Sequence, residues 1–342
     1  MECHVRAYCV DASGLSLAHS HPSKTLTPDE VRITVDAVAL NYRDLLVAQG
    51  KYGRVPEKPF VAGSDMAGTV TEIGAGVTGV SIGDRVVNSP FRHWPAGKLQ
   101  ADWLKTFIGA SGVDGVLAEE IVFPASALAS VPSHLAQVEA ATLPIAGLTA
   151  WAAVVTHGRL RPGEWALLHG TGGVSIFAAQ LVRAMGGRAL MTTSSEEKGQ
   201  RVKKAFGVTE TFDYRDDNWV KKVRDYTGGT GVDLVVEVVG GATLSKSLKA
   251  CTFSGRVSLV GVLDGFESNI NPFDIIGRQL TVRGIYTEST EELRAFTKAC
   301  EALRLKPHID TIFPFDATPA AYAYLAAQKH IGKVVISLNG ET

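Results

Sequence analysis

The 342-residue chain is long enough for two separate cores, and its 45% apolar and 20% charged side chains are those of an ordinary soluble globular protein. Its 34 Lys plus Arg nearly cancel 35 Asp plus Glu, and no basic stripe stands out, which argues against nucleic acid or a membrane surface as partner. The N-terminus lacks the apolar core of a signal peptide, and no uncharged apolar run approaches the ~20 residues of a bilayer span. The four scattered cysteines, Cys3, Cys9, Cys251 and Cys300, form no CxxC pair, so the expectation is a cytoplasmic protein with reduced thiols.

From about residue 5 to 125 the chain reads as short strands cut by turns. EVRITVDAVAL (30–40) alternates, GTVTEIGAGV (68–77) ends in glycines, and IGDRVVNS (82–89) contains a Gly-Asp turn. The pattern predicts a coiled β-barrel or a partly open sheet. Residues 90–115 break the rhythm. Their aromatics His93, Trp94, Trp103 and Phe107 either wall an apolar pocket or pin a long loop, and pinning is the favoured reading.

After about residue 126 the rhythm changes. WALLH (165–169) predicts a buried strand, and VSIFAAQLVRAMG (174–186) a helix closed by Gly186 and Gly187. RALMTTS (188–194) and EEKGQRVKKAFG (196–207) repeat the unit, and the alternation runs on to RVSLVGV (256–262). Apolar strands alternating with amphipathic helices predict an α/β fold with a parallel sheet covered on both faces. A helix near 316–329 and the strand GKVVISL (332–338) follow, and periodicity does not assign that last strand to a domain.

Between the predicted strand and helix lie Gly170, Thr171, Gly172, Gly173 and Val174, where backbone N–H groups and the helix dipole favour a pyrophosphate. Ser175 stands where the dinucleotide fingerprint has its third glycine. A free ribose 2′-hydroxyl usually meets Asp or Glu after the second strand. Here Thr192, Thr193, Ser194 and Ser195 are followed by Lys198 and Arg201, which suits the 2′-phosphate of NADP. Glu196 and Glu197 read as first-turn charge behind a Ser cap, although a register shift of two would give the ribose to Glu196. Tyr214 either lines the adenine pocket or packs in the core.

Several stretches taken together are similar to the medium-chain dehydrogenase/reductase superfamily: NYRD (41–44), PFVAGSDMAGTVTEIGAGV, GDRV (83–86), AATLPIAGLTAW (140–151), GTGGVS and IGKVV. The resemblance implies a GroES-like β-barrel catalytic domain from residues 1–125 and 302–342, a Rossmann NADP-binding domain from 126–301, and an active site in the cleft between them. Zinc members place metal ligands at positions that match Asn41, Ser64 and, by looser alignment, Ile145, none of them a good zinc ligand. The four-cysteine structural lobe is missing too, since residues 85–125 hold no Cys, and His19 and His21 read as solvated. The chain therefore resembles zinc-free members such as quinone oxidoreductases and alkenal or enoyl reductases.

Without zinc to hold charge on oxygen, either the substrate supplies its own electron sink, as a conjugated enone or a quinone does, or a positioned tyrosine protonates a carbonyl oxygen directly. The expected reaction is NADPH-dependent reduction of an activated C=C bond. Quinone reduction, metal-free alcohol or carbonyl chemistry, and a non-enzymatic NADPH-binding role are the alternatives. Candidate donors to substrate are Asn41, Tyr52 and Tyr42. By the resemblance, Thr149 and the stretch Val260–Leu263, with Val260 and Val262, line the nicotinamide, and Lys333 reaches the phosphates. Arg43 and Asp44 read as a structural or solvated ion pair, Asp65 as structural, and His169 as packing at a strand end. The resemblance also implies a homodimer, with RQLTVRGIY (278–286) as a plausible edge strand.

Overall fold

A computed structural model describes residues 4–53, 58–265 and 267–340. Contacts gather the chain into two compact units, Met1–Leu148 with Ser289–Thr342, and Thr149–Glu288. The first begins with β1 (His4–Asp11), β2 (Gly14–Pro22), β3 (Glu30–Leu40), β4 (Phe60–Val61), β5 (Asp65–Ile73), β6 (Arg85–Asn88), β7 (Glu120–Pro124) and β8 (Leu128–Ser130). In β3 the alternation predicted from sequence turns Val31, Ile33 and Val35 into the core, between neighbours that face outward. Antiparallel β5 and β7 flank β3, and β1 pairs with β2 and β4 in a smaller sheet. The chain past residue 126 thus still belongs to this unit, since β8 pairs with β6.

The second unit is a six-stranded sheet of β9 (Trp165–His169), β10 (Arg188–Thr192), β11 (Glu210–Phe212), β12 (Val232–Glu237), β13 (Cys251–Leu259) and β14 (Thr281–Gly284). Every pairing is parallel, in the order β11-β10-β9-β12-β13-β14. This is the doubly wound dinucleotide-binding order, with its switch point between β9 and β12. Helices Gly173–Ala184, Glu196–Phe206, Trp219–Tyr226 and Gly241–Ala250 connect the strands. At the edge, all four residues of β14 are exposed.

The chain then returns to the first unit. β15 (Ile309–Pro314) pairs in parallel with β16 (Lys333–Ser337), and β16 pairs antiparallel with β3. The final strand, which periodicity left unassigned, is therefore a central neighbour of β3. Cys9, Cys251 and Cys300 are buried free thiols, pushed up to about 11, 12 and 12 by burial, which keeps them protonated and unreactive. Cys3 lies outside the described residues. No described helix is long and apolar enough to cross a membrane.

Candidate functional site

In the second unit, β9 ends at His169 and the chain turns through Gly170 at φ +69, a left-handed conformation that glycine adopts without strain. Gly172 precedes the helix Gly173–Ala184 with no side chain capping it, so the first-turn N–H groups at Gly173 and Val174 are left for an outside acceptor. A Cβ built on Gly170 or Gly172 would meet nothing within 4 Å, so both glycines border open space in which a phosphate fits. Ser175 explains the departure from the glycine fingerprint. It is buried, and its Oγ donates to the His169 carbonyl at 2.6 Å, tying the helix's first turn to the strand end.

His169 is more than strand-end packing. Its Nδ1 meets Thr192 Oγ1 at 2.9 Å and its Nε2 meets Ser247 Oγ at 2.8 Å. Ser247 donates to Glu237, whose other oxygen accepts from the N–H groups of Val239 and Gly240. Burial lowers the His169 pKa, so the ring stays neutral. Thr192 is therefore turned inward, and its hydroxyl is not offered to a ribose phosphate.

Ser194, Lys198 and Tyr214 follow the ends of β10 and β11. Ser195 caps the next helix by accepting from the Lys198 N–H, with Glu196 and Glu197 exposed in the first turn, in keeping with the capping reading of those carboxylates. Tyr214 is 47% exposed and so is not a core tyrosine. Beside it stands a residue the sequence reading missed. Arg215 donates from Nη2 to the Ser194 carbonyl at 2.8 Å and pairs with Asp213, leaving its side chain 64% exposed. Its place next to Tyr214 was the available signal. Thr149 is buried in the turn Leu148–Trp151, Val260 donates its N–H to the Glu237 carbonyl, and Val262 is exposed.

In the first unit, strand register builds a second polar site. Ala39 lies opposite Asp65 and Leu40 opposite Val334, so the end of β3 is flanked by Asp65 and Lys333. Lys333 Nζ donates to the Leu40 carbonyl at 2.7 Å and to Asn41 Oδ1 at 2.6 Å. Asn41 Nδ2 donates to Asp65 Oδ2 at 2.9 Å, which also accepts from the Ile145 N–H. These bonds fix the Asn41 amide in one orientation and leave its second N–H over. Burial pushes the Asp65 carboxyl up to about 7 and the Lys333 ammonium down, each opposed by the other's charge 3.8 Å away. The expectation that Lys333 reaches the phosphates is corrected: its ammonium is 3% exposed and committed to Leu40 and Asn41.

Arg43 and Asp44 form the structural rather than the solvated of the two expected pairs, with Nη1 3.6 Å from Oδ1 and little of either side chain exposed. Arg43 Nη1 donates to Ser64 Oγ and to the Ile108 carbonyl, Ser64 donates to Asp44, and Asp44 accepts from the Asn41 backbone N–H. The guanidinium carbon lies 4.0 Å from the Phe107 ring centre and 5.2 Å from that of Tyr52. Its Nε and Nη2 are buried with no hydrogen-bond partner among the described residues, an arrangement that costs about 1–3 kcal/mol per donor unless something accepts from them. Phe107 in turn stacks on Phe91, which meets Trp94 edge-on, so these rings of the irregular excursion pack on one another. Tyr52 is half-buried, and Tyr42, at the first position of the helix Tyr42–Ala48, is 36% exposed.

Two sequence families match this chain: Alcohol dehydrogenase GroES-like domain over residues 27–133 and Zinc-binding dehydrogenase over residues 173–302. A zinc-type alcohol dehydrogenase-like protein of Schizosaccharomyces pombe is 36% identical, over 92% of this chain and 92% of its own. The chain belongs to the medium-chain dehydrogenase/reductase superfamily. Within it, this medium-chain dehydrogenase/reductase is quinone oxidoreductase-like: the human quinone oxidoreductase is 29% identical over 86% of this chain and 84% of its own. A solved structure described as an NAD-dependent alcohol dehydrogenase superposes with a TM-score of 0.87 at 32% identity, covering 97% of this chain and 99% of that one.

The nucleotide-binding domain of the superfamily implies a pyridine nucleotide, and the uncapped helix with open space above Gly170 and Gly172 fits one. Zinc does not fit. Of the three positions matching zinc ligands, Asn41 has its oxygen on an ammonium, Ser64 is held by Arg43 and Asp44, and Ile145 is apolar. Among the described residues no three His, Cys, Asp or Glu side chains group together to hold a metal.

Proposed function

We propose that this medium-chain dehydrogenase/reductase is a zinc-independent, NADPH-dependent reductase of activated C=C bonds, as in 2-alkenals, enones and enoyl derivatives. The observation that carries the reading is the hydrogen bonding at the three positions where zinc members place ligands. Asn41 is tied to Lys333 and Asp65, Ser64 to Arg43 and Asp44, and Ile145 offers only its backbone N–H. Such a site supplies hydrogen-bond donors and no Lewis acid, which suits a substrate with its own electron sink. When bound, the reduced nicotinamide supplies a hydride to the β-carbon of the conjugated carbonyl. The chain's task is to hold the charge that collects on the carbonyl oxygen, and the donors it offers include the second N–H of Asn41 and the phenols of Tyr52 and Tyr42.

NADPH is favoured over NADH because Ser194, Lys198, Tyr214 and Arg215 follow β10 and β11, and β10 ends in Thr192 with no carboxylate before the Ser195 cap. The pyrophosphate falls to Gly170, Thr171, Gly172, Gly173 and Val174, and the nicotinamide to Thr149, Val260 and Val262. Quinone reduction at the same donors is the second reading, supported by the names of the relatives. The exposed edge strand β14, with Phe273 and Ile276 exposed just before it, supports a homodimer through that edge.

The test is anaerobic incubation of the protein with NADPH and a 2-alkenal, with the product identified by mass and NMR. Saturated aldehyde supports the reading. Allylic alcohol means carbonyl reduction and sinks it.

A further inference from the structure

Arg43 is nine-tenths buried, and a single nitrogen anchors it. Nη1 donates to Ser64 Oγ and, at 2.9 Å, to the Ile108 carbonyl, and it is this nitrogen that lies 3.6 Å from Asp44 Oδ1. The ring of Phe107 lies 4.0 Å from the guanidinium carbon and that of Tyr52 5.2 Å from it. Nε and Nη2 are left buried and without a partner among the described residues. Those two nitrogens share one edge of the planar guanidinium, the fork that gives two parallel N–H···O bonds to a carboxylate or to a charge-bearing oxygen. A surface arginine would turn such donors to water. Here the anchored nitrogen and the packed rings fix the direction in which the free edge points.

The geometry points to Arg43 as the catalytic residue that receives the conjugated carbonyl oxygen of the substrate on its Nε–H and Nη2–H. The inference rests on the C=C reduction reading and names the group that holds the oxygen. Asn41 is less suited, since its oxygen is on Lys333 and one of its two amide N–H bonds is on Asp65. As the β-carbon gains the hydride, the C=C electron pair moves toward the carbonyl and the oxygen takes negative charge. Two N–H donors fixed in advance stabilise that charge without reorganising. A solvent proton then adds to the α-carbon and the carbonyl re-forms, leaving the substrate reduced by two electrons and the nicotinamide oxidised by two.

The experiment compares wild type with Arg43→Lys and Arg43→Gln, using NADPH and trans-2-hexenal. Each NADP-loaded protein is also titrated with trans-2-hexenoate, whose carboxylate fits the same fork. The Gln variant is expected to lose about 10²–10³-fold in kcat while KM for NADPH is kept. The Lys variant, which keeps the charge but loses the planar edge, should recover only part of that. Hexenoate should compete with hexenal in wild type and bind at least about tenfold more weakly to both variants. Full turnover by a folded Gln variant, or unchanged hexenoate binding by the Lys variant, overturns the proposal and leaves C=C reduction standing. Absence of hexanal from the wild-type reaction removes the C=C reading instead, and the hexenoate titration still decides whether Arg43 grips a planar oxygen group. Should the Gln variant not fold, the Lys variant carries both comparisons.

Discussion

The glycine loop after β9 and the polar cluster at the end of β3 both hold N–H groups that we propose meet an outside oxygen, but they are made from different parts of the chain. The loop works with backbone: Gly170, Gly172 and the uncapped first turn lie within a few residues of one another. The cluster works with side chains from the helix Tyr42–Ala48 and its cap Asn41, from β5, β16 and the excursion, and Arg43 reaches a carbonyl 65 residues away. A backbone site survives many side-chain changes provided its glycines stay, whereas a side-chain site depends on strand register. The first should therefore fail locally when altered, and the second by losing stability.

The largest effect is expected at Lys333. Lys333→Met leaves the Asp65 carboxylate buried without its counter-charge, and should cost about 3–5 kcal/mol in urea unfolding. Lys333→Met combined with Asp65→Asn should regain much of that, and a double variant no better than the single would separate the two residues. The pH dependence sharpens the point. Because the Asp65 carboxyl lies at about 7 in the folded chain against 3.8 as the ordinary value, the folded state binds more protons across that window. Its contribution to stability thus falls as pH rises from about 4 to about 7. Unfolding measured across that range should show a shallower decline in Asp65→Asn than in wild type, and parallel curves would refute the assignment.

The loop should break differently. Gly172→Val places a side chain in the open space beside the helix start, so NADPH should bind about 100-fold more weakly by fluorescence titration, a loss near 2.7 kcal/mol, with Tm little changed. Unaltered affinity would mean that the phosphates lie elsewhere. The smallest effect belongs to Ser175→Ala, which removes one bond to the His169 carbonyl and should lower stability by about 1 kcal/mol.

This contrast also governs how much was legible in advance. Strand, loop and helix around Gly170 are contiguous, so apolar runs and glycine punctuation reveal them directly. Ser175 looked like a defect because the carbonyl it bonds belongs to folded geometry. Periodicity showed that 332–338 forms a strand but carries no information about pairing, so the place of β16 beside β3 stayed hidden. The resemblance gave Lys333 to the phosphates, whereas its partners are Leu40 and Asn41. Arg43 was discounted because Asp44 is its neighbour in sequence, while Phe107 and Ile108, which hold it in space, lie far along the chain.

The hydrogen-bonded chain through Thr192, His169, Ser247 and Glu237 has a consequence for cofactor capture. It cross-links the ends of β9, β10 and β12 to the helix Gly241–Ala250, directly beneath the turn at Gly170. That floor is already ordered before any nucleotide arrives. Little conformational entropy remains to be lost on binding there, so the contacts made by the loop go into affinity rather than into freezing a mobile segment.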